Sequence, residues 1–96
     1  MDNHVEQRRF IARGRVQGVN FRSFVTRRAN AMGIGGWVKN LPDGYSVEAL
    51  AQASPEQLDR FAREVMRKGP PGAVVHELEE FEEPVDQRLQ GFDIAF

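Results

Sequence analysis

Length, composition and charge set the first limits on this chain. Its 96 residues are 41% hydrophobic and 28% charged, which is enough for one folded core and too little chain for a second domain. The absence of cysteine excludes disulfides, thiolate nucleophiles and cysteine-ligated metal sites, and the formal net charge of −1 excludes a strongly basic or acidic protein.

The charges are unevenly distributed along the sequence. Residues 1–39 hold eight Lys/Arg against two acidic residues, whereas residues 69–96 hold one against seven. This asymmetry favours an anionic ligand in the first part of the chain, unless folding mixes the two signs on one surface. Apolar runs do not exceed three residues, and the first residues lack the apolar stretch of a secretory signal. We therefore expect a cytoplasmic protein with no membrane partner and a single domain over residues 1–96.

A strand and a helix are predicted in the first third of the chain. Residues 9–13 place charged residues around apolar ones at roughly alternate positions and predict a strand that ends at Gly14. Apolar residues then recur at helical spacing over residues 21–32 and predict a helix ended by Gly33. The chain therefore runs strand, loop, helix.

A hairpin follows. Residues 37–40 predict a second strand, and the sequence Leu-Pro-Asp-Gly at 41–44 is typical of a turn. Alternation of apolar residues resumes over residues 47–51 and predicts a third strand.

Capping residues predict a second helix. Ser54 and Gln57 have the spacing of a capping box with a proline between them, and Gly-Pro-Pro-Gly at 69–72 ends the helix. Residues 74–81 and 92–96 are the remaining strand candidates. The order β-α-β-β-α-β, with a short last strand, predicts an α+β ferredoxin-like split βαβ sandwich, an antiparallel sheet with both helices on one face.

The segment 14–22 suggests a ligand class. Two glycines let the backbone turn between a strand and a helix N-terminus, where free N–H groups and the helix dipole attract anions. The segment lacks the Gly-Lys-Ser/Thr ending of a Walker loop, which argues against nucleoside triphosphate chemistry.

Two polar residues next to predicted loops are candidates for chemistry. Arg22, in the first turn of the first helix, opposes the helix dipole by about 0.3–1 kcal/mol unless an anion binds there, and it is otherwise a solvated surface arginine. Asn40, at the end of the second strand, offers one acceptor and two donors that can orient a water molecule, or it satisfies the backbone of the turn.

These residues resemble a known family. Gly-Arg-Val-Gln-Gly-Val-Asn-Phe-Arg at 14–22, followed by Gly-Trp-Val-Lys-Asn at 36–40, is similar to the paired signature of the acylphosphatases, which hydrolyse carboxyl–phosphate anhydrides. Residues 69–75 and 91–94 extend the similarity over nearly the whole chain from about residue 9. One departure is that Tyr45 and Ser46 stand where the family usually has one residue, so we expect a longer hairpin.

The resemblance implies a ferredoxin-like fold, no metal ion, no cofactor and hydrolysis of acyl phosphates to a carboxylate and inorganic phosphate. It implies that Arg22 binds the phosphoryl group and that Asn40 orients the attacking water. The partners are then a small-molecule acyl phosphate and inorganic phosphate, with no nucleic acid, and we expect a monomer. The implied phosphate cradle consists of Arg15, Val16, Gln17, Gly18, Val19 and Asn20.

Other functions are disfavoured by the sequence. An RNA-binding module of this fold needs stacking aromatics on central strands, and the Lys/Arg-Gly-Phe/Tyr core of an RRM is missing. A relay domain that binds acyl phosphates without hydrolysis belongs, in hydrogenase-maturation carbamoyltransferases, to a longer chain. His4 and His76 have no partner at metal-ligand spacing, and the acidic residues between 77 and 83 predict the solvated side of an edge strand.

Overall fold

The computed structural model describes residues 4–96. Over this range, five strands and two helices follow one another in the predicted order, and α2 continues into one π-helical turn. No helix in this range has the length and apolar character needed to cross a membrane. The elements are β1 Glu6–Arg15, α1 Phe21–Ala31, β2 Gly35–Asn40, β3 Ser46–Ala53, α2 Pro55–Phe61, the π-helical turn Ala62–Met66, β4 Val74–Glu83 and β5 Phe92–Ile94.

The strands form one sheet in the order β4-β1-β3-β2-β5. β3 pairs antiparallel with both β1 and β2, and β4 pairs antiparallel with β1, which confirms the ferredoxin-like α+β sandwich. β5 differs from the antiparallel expectation, since it pairs parallel to β2. The register explains this: β4 ends beside the start of β1, and β5 begins beside the start of β2. A strand that starts there can only run in the direction of β2.

Both helices pack on the same face of the sheet. At the centre of the core, Phe61 of α2 lies between Phe10 of β1 and Phe92 of β5, with ring centroids 5.5 and 6.0 Å apart. All three side chains are buried. Because aromatic side chains remove large apolar areas from water, this row attaches α2 to two strands of the sheet.

A side chain of α1 fixes the short strand β5. The amide of Asn30 donates to the carbonyl oxygen of Phe92, and the amide oxygen of Asn30 accepts from the Phe92 N–H, both at 3.0 Å. β5 has only three residues and therefore few ladder hydrogen bonds of its own. The two bonds from Asn30 join β5 to α1, in addition to its pairing with β2, and so help to fix where Ile94 lies.

The second helix begins as predicted and ends differently. Its capping box is present: Ser54 Oγ accepts from the Gln57 N–H at 3.2 Å, and Gln57 Oε1 accepts from the Ser54 N–H at 3.3 Å. The segment expected to continue helically towards the glycine at position 69 changes to π-type bonding, in which the N–H of Arg67 donates to the carbonyl of Ala62 at 2.9 Å. The wider turn accommodates two adjacent apolar residues, Val65 and Met66, which are both fully buried.

Glutamates of β4 pair with arginines of β1. β4 is one of the two edge strands of the sheet, as the acidic sequence predicts. Part of the positive charge in the first 39 residues is therefore neutralised by ion pairs within the sheet. The other arginines of this segment make no ion pair with β4. The pairs are Arg8 with Glu80 at 3.6 Å, Arg9 with Glu83 at 2.9 Å, and Arg13 with Glu77 at 3.4 Å and with Glu79.

Candidate active site

The ends of β1 and β2 lie at the same end of the sheet, because both strands run antiparallel to the strand between them. Val47, near the start of β3, pairs with Ala12 of β1 on one side and with Asn40 of β2 on the other. The loop after β1 and the last residue of β2 are thus separated by the width of one strand. We call the end of the sheet where β1 and β2 finish, at Arg15 and Asn40, the site end.

The loop after β1, residues 16–20, is held in place by apolar side chains. Val16 is buried, and Val19 packs against the core. Gly18 and Asn20 have left-handed backbone conformations, with φ of 75° and 63°. Glycine adopts this conformation without steric cost, and asparagine tolerates it better than most residues. Anchored and left-handed residues alternate, so the loop bends sharply into α1.

The backbone of this loop presents free hydrogen-bond donors. Within the described range, the N–H groups of residues 16–23 make no hydrogen bond. Asn20 is the N-cap of α1 without a capping side-chain bond, and the first turn has no acidic residue. The free N–H groups and the positive end of the helix dipole are therefore both left to attract an anion.

Arg22 adds a cation at the start of α1. Unlike Arg8, Arg9 and Arg13 of β1, it makes no ion pair with any residue of the described range. The Phe96 ring lies beside it, with the guanidinium carbon 5.5 Å from the ring centroid. An unpaired cation at a positive helix end is electrostatically unfavourable until an anion binds between them.

Asn40 keeps its hydrogen-bonding capacity. Its half-buried side chain makes no hydrogen bond with residues 4–96. The turn backbone is satisfied instead by Asp43, whose carboxylate accepts from the Tyr45 N–H at 2.9 Å and from the hydroxyl of Ser46. The Ser46 hydroxyl holds the pKa of Asp43 below its ordinary value. The role of a turn-capping side chain thus belongs to Asp43, which leaves the Asn40 carboxamide free to bind water.

Arg22 and Asn40 line a common cleft of about 240 Å³ at the site end. Among residues 4–96, no group of three or more His, Asp or Glu side chains could hold a metal ion in this cleft or elsewhere. Of the residues predicted for the site, the structure brings four to this cleft, Gly18, Asn20, Arg22 and Asn40. The full lining is Gly18, Asn20, Phe21, Arg22, Ser23, Asn40 and Ile94.

The other predicted cradle residues do not line the cleft. Val16 and Val19 contribute to the core, and Arg15 is exposed at the end of β1. The side chain of Gln17 is directed towards the turn between β2 and β3. For Val16, Gln17 and Val19, the backbone N–H group is the part left for binding an anion, whereas Arg15 also has its exposed guanidinium group.

Three lining residues, Phe21, Ser23 and Ile94, were not predicted for the site. Phe21 was predicted only as a core residue of the first helix, and it is buried. Ser23 follows Arg22 in the first turn of α1, so the predicted helix start was a sufficient signal for it. Ile94 lines the cleft because β5 lies parallel beside β2. That placement depends on the strand order, which no local sequence pattern reveals.

A larger cavity, of about 430 Å³, lies at the opposite end of the sheet. The buried polar side chain at its wall is Gln52, and its bonds are already made within the protein. The Gln52 amide donates to Gln7 Oε1 at 2.8 Å and to the carbonyl of Gln87 at 2.7 Å, and its carbonyl oxygen accepts from the N–H of Leu89 at 3.0 Å. This network fixes the chain between β4 and β5, and it leaves no donor of Gln52 for a ligand.

The fold and the cleft together define a class of protein: a ferredoxin-like sandwich with a cleft between a glycine-containing loop, a helix N-terminus and a strand end, where free N–H donors and an arginine favour an anion. Comparison with known proteins gives the family. The model of the acylphosphatase family matches residues 8–94. An acylphosphatase of Bordetella parapertussis is 48% identical over 77 residues, which is 80% of each chain.

Solved structures agree with this assignment. The crystal structure of acylphosphatase from Bacillus subtilis has a TM-score of 0.88 and 36% identity, covering 97% of this chain and 100% of that one. Full-length HypF, in a phosphate- and nucleotide-bound form, has a TM-score of 0.86 and 27% identity, but this chain matches 12% of its length. The chain belongs to the acylphosphatase family, whose members are hydrolases that act on small-molecule acyl phosphates and release phosphate.

Proposed function

We propose that this chain hydrolyses acyl phosphates without a metal ion or cofactor, binding the phosphoryl group at the site end and directing a water molecule onto its phosphorus. The cleft itself carries this proposal. The unpaired guanidinium of Arg22 and the unbonded carboxamide of Asn40 line it together, beside a loop whose N–H groups have no partners in the described range. The guanidinium supplies positive charge, the carboxamide supplies a hydrogen-bonding group in a fixed position, and the loop supplies N–H donors that can point at an anion.

The phosphoryl group binds to donors that are already in place. Its oxygens accept from the backbone N–H groups of the loop and from the guanidinium of Arg22, which can bind two oxygens at once. Charge on these oxygens is stabilised before the reaction begins, so no metal ion is required for this purpose. The proposed phosphate-binding residues are Arg15, Val16, Gln17, Gly18, Val19 and Asn20 through their backbone, and Arg22 through its side chain.

Hydrolysis then needs a positioned water molecule. Asn40 orients it in line with the bond that breaks, so that the water oxygen bonds to phosphorus as the bond from phosphorus to the acyl oxygen opens. The acyl group leaves as a carboxylate, and a phosphoryl oxygen takes the proton of the water. Because a carboxylate is a good leaving group and the phosphate accepts the proton, no side chain has to act as a general base.

The basic test is release of phosphate. Purified protein is expected to release inorganic phosphate from acetyl phosphate at the same rate with and without EDTA, and added inorganic phosphate is expected to inhibit competitively, since it binds the same donors. Activity that EDTA abolishes and Mg²⁺ or Zn²⁺ restores would contradict the metal-free mechanism. Binding of acetyl phosphate without its hydrolysis would contradict the enzymatic function altogether.

Arg22→Ala tests the phosphoryl site. Because the guanidinium contacts the phosphoryl group in both the ground and the transition state, we expect weaker phosphate inhibition and a loss of kcat/KM by about 10²-fold or more. Arg27→Ala is the matched control, since Arg27 is an exposed arginine on the same helix with no ion pair in the described range. Unchanged phosphate inhibition in Arg22→Ala would remove Arg22 from the site.

Asn40→Ala separates orientation of the water from binding of phosphate. We expect kcat to fall by about 10²–10³-fold, or about 2.7–4 kcal/mol, with little change in phosphate inhibition. Asn40→Asp, in contrast, places a carboxylate beside the phosphoryl group and is expected to weaken phosphate inhibition as well. Circular dichroism shows whether each variant is folded. Near-normal kcat in folded Asn40→Ala would leave Asn40 with a structural role alone.

We also propose that residues 1–96 form one domain that acts as a cytoplasmic monomer and binds no nucleic acid. The glutamates of the edge strand β4 oppose its pairing with a second copy. The strands β1 and β3 offer no aromatic side chain for base stacking, since the one aromatic residue on them, Phe10, is fully buried. Light scattering after gel filtration is expected to give the mass of one chain; a dimer mass would contradict the monomer.

A further inference from the structure

The side chain of Gln17 joins the phosphate loop to the hairpin that carries Asn40. Its Nε2 group donates to the carbonyl of Leu41 at 2.8 Å and to the carbonyl of Ser46 at 3.0 Å. Leu41 directly follows Asn40, and Ser46 begins β3. The Leu41 N–H also donates to the carbonyl of Ser46 at 2.9 Å, so one amide group of Gln17 holds both sides of the closed turn.

We propose that Gln17 is a positioning residue for hydrolysis, which sets the distance and angle between the Asn40 carboxamide and the phosphate loop. This rests on the proposed role of Asn40. The side chain of Gln17 touches neither substrate nor water in this scheme, although the backbone N–H of the same residue belongs to the proposed phosphate cradle. The side chain acts through the backbone next to Asn40.

The topology makes such a link necessary. β1 and β2 are not neighbours in the sheet, so no ladder hydrogen bond joins the loop after β1 to the end of β2. Within residues 4–96, two sets of hydrogen bonds join the end of β1 and its loop to the hairpin between β2 and β3. At the base of the loop, the Gly14 N–H donates to the carbonyl of Tyr45 at 3.0 Å. Gln17 supplies the second connection from within the loop, and it reaches the residue adjacent to Asn40.

The loop and the hairpin are otherwise fixed independently. Val16 and Val19 anchor the loop in the core, and the Asp43 carboxylate holds the turn through its own bonds to Tyr45 and Ser46. Loss of the Gln17 amide therefore leaves each part formed while freeing one to shift against the other. A displacement of about 1 Å between reacting groups can lower a rate by about 10²-fold, whereas binding of phosphate to the loop alone does not depend on it.

Gln17→Met tests this role, because methionine has a similar length but no amide. We expect kcat for acetyl phosphate to fall by about 10–100-fold while the inhibition constant of inorganic phosphate changes by less than about threefold. Gln57→Met is the matched control. The Gln57 amide also donates to a backbone carbonyl, that of Met32, at 2.7 Å, but at the opposite end of the molecule. It is expected to lower thermal stability without changing kcat.

A double-mutant cycle with Asn40→Ala distinguishes positioning from general stabilisation. If Gln17 acts through Asn40, Gln17→Met should have no further effect on kcat in the Asn40→Ala protein, within about twofold. If Gln17→Met lowered kcat by the same factor in the wild-type and Asn40→Ala proteins, the positioning role would be overturned. A loss of phosphate binding that matched the loss of kcat would overturn it as well. So would normal kcat in Gln17→Met while Asn40→Ala is impaired.

Failure of the proposed function looks different from failure of this inference. Normal kcat in Asn40→Ala would remove the role of Asn40 itself, whatever Gln17→Met does. If Gln17→Met does not fold, Gln17→Asn serves instead, since it keeps the amide on a side chain one methylene shorter. It is expected to give the same selective loss of kcat, and a kcat equal to that of the wild type would count against the inference.

Discussion

β3 lies between β1 and β2 and runs antiparallel to both, and the cleft depends on this constraint. Two strands that flank a common antiparallel partner must run in the same direction, so their ends meet at one end of the sheet. The loop and helix start that follow β1 are thereby brought to the residue that ends β2. With any strand order that reversed β2, Asn40 would lie at the opposite end of the sheet from Arg22. The cleft would then lack the carboxamide that can bind water.

The same strand order decides which positive charges are free. β4 lies against β1, so its glutamates pair with Arg8, Arg9 and Arg13 of β1 at one outer edge of the sheet. The cleft lies on the other side, towards β2 and β5, where Arg22 has no carboxylate partner in the described range. Carboxylates near Arg22 would compete with a bound phosphoryl group. The acidic residues of the last part of the chain thus neutralise arginines at the β4 edge of the sheet, and they leave the positive charge of Arg22 in the cleft.

Local signals in the sequence predicted most of the elements. The helical spacing that starts at Phe21, the Leu-Pro-Asp-Gly turn and the capping box at Ser54 are each decided by neighbouring residues, and the structure confirms all three. Features that depend on distant contacts were not predictable in this way. The parallel docking of β5 places Ile94 in the cleft, and the π-helical turn reflects the burial of Val65 and Met66.

In the candidate site, too, features set by neighbouring residues were predictable and features set by distant contacts were not. Arg22 and Asn40 were identified from motifs, and the structure places both at one cleft. The bonds of Gln17 could not be read from the sequence, since its partners lie beyond a helix and a strand. The sequence also left open whether the Asn40 side chain satisfies the backbone of the turn or is available to orient a water molecule. In the structure Asp43 satisfies the turn, because its carboxylate accepts from both Tyr45 and Ser46.

The pairing of β1 with β4 has a consequence for how the protein folds. Gln7 and Glu83, whose side chains meet across these strands, are 76 positions apart, so the pair forms only after most of the chain has been brought together. Contacts of such long sequence separation close large loops and slow the search for the native state. During synthesis, the loop, α1 and the hairpin emerge first, while β1 still lacks a neighbour along one side. That open strand is prone to pair with other chains until β4 arrives, and Ile94 closes the cleft later still.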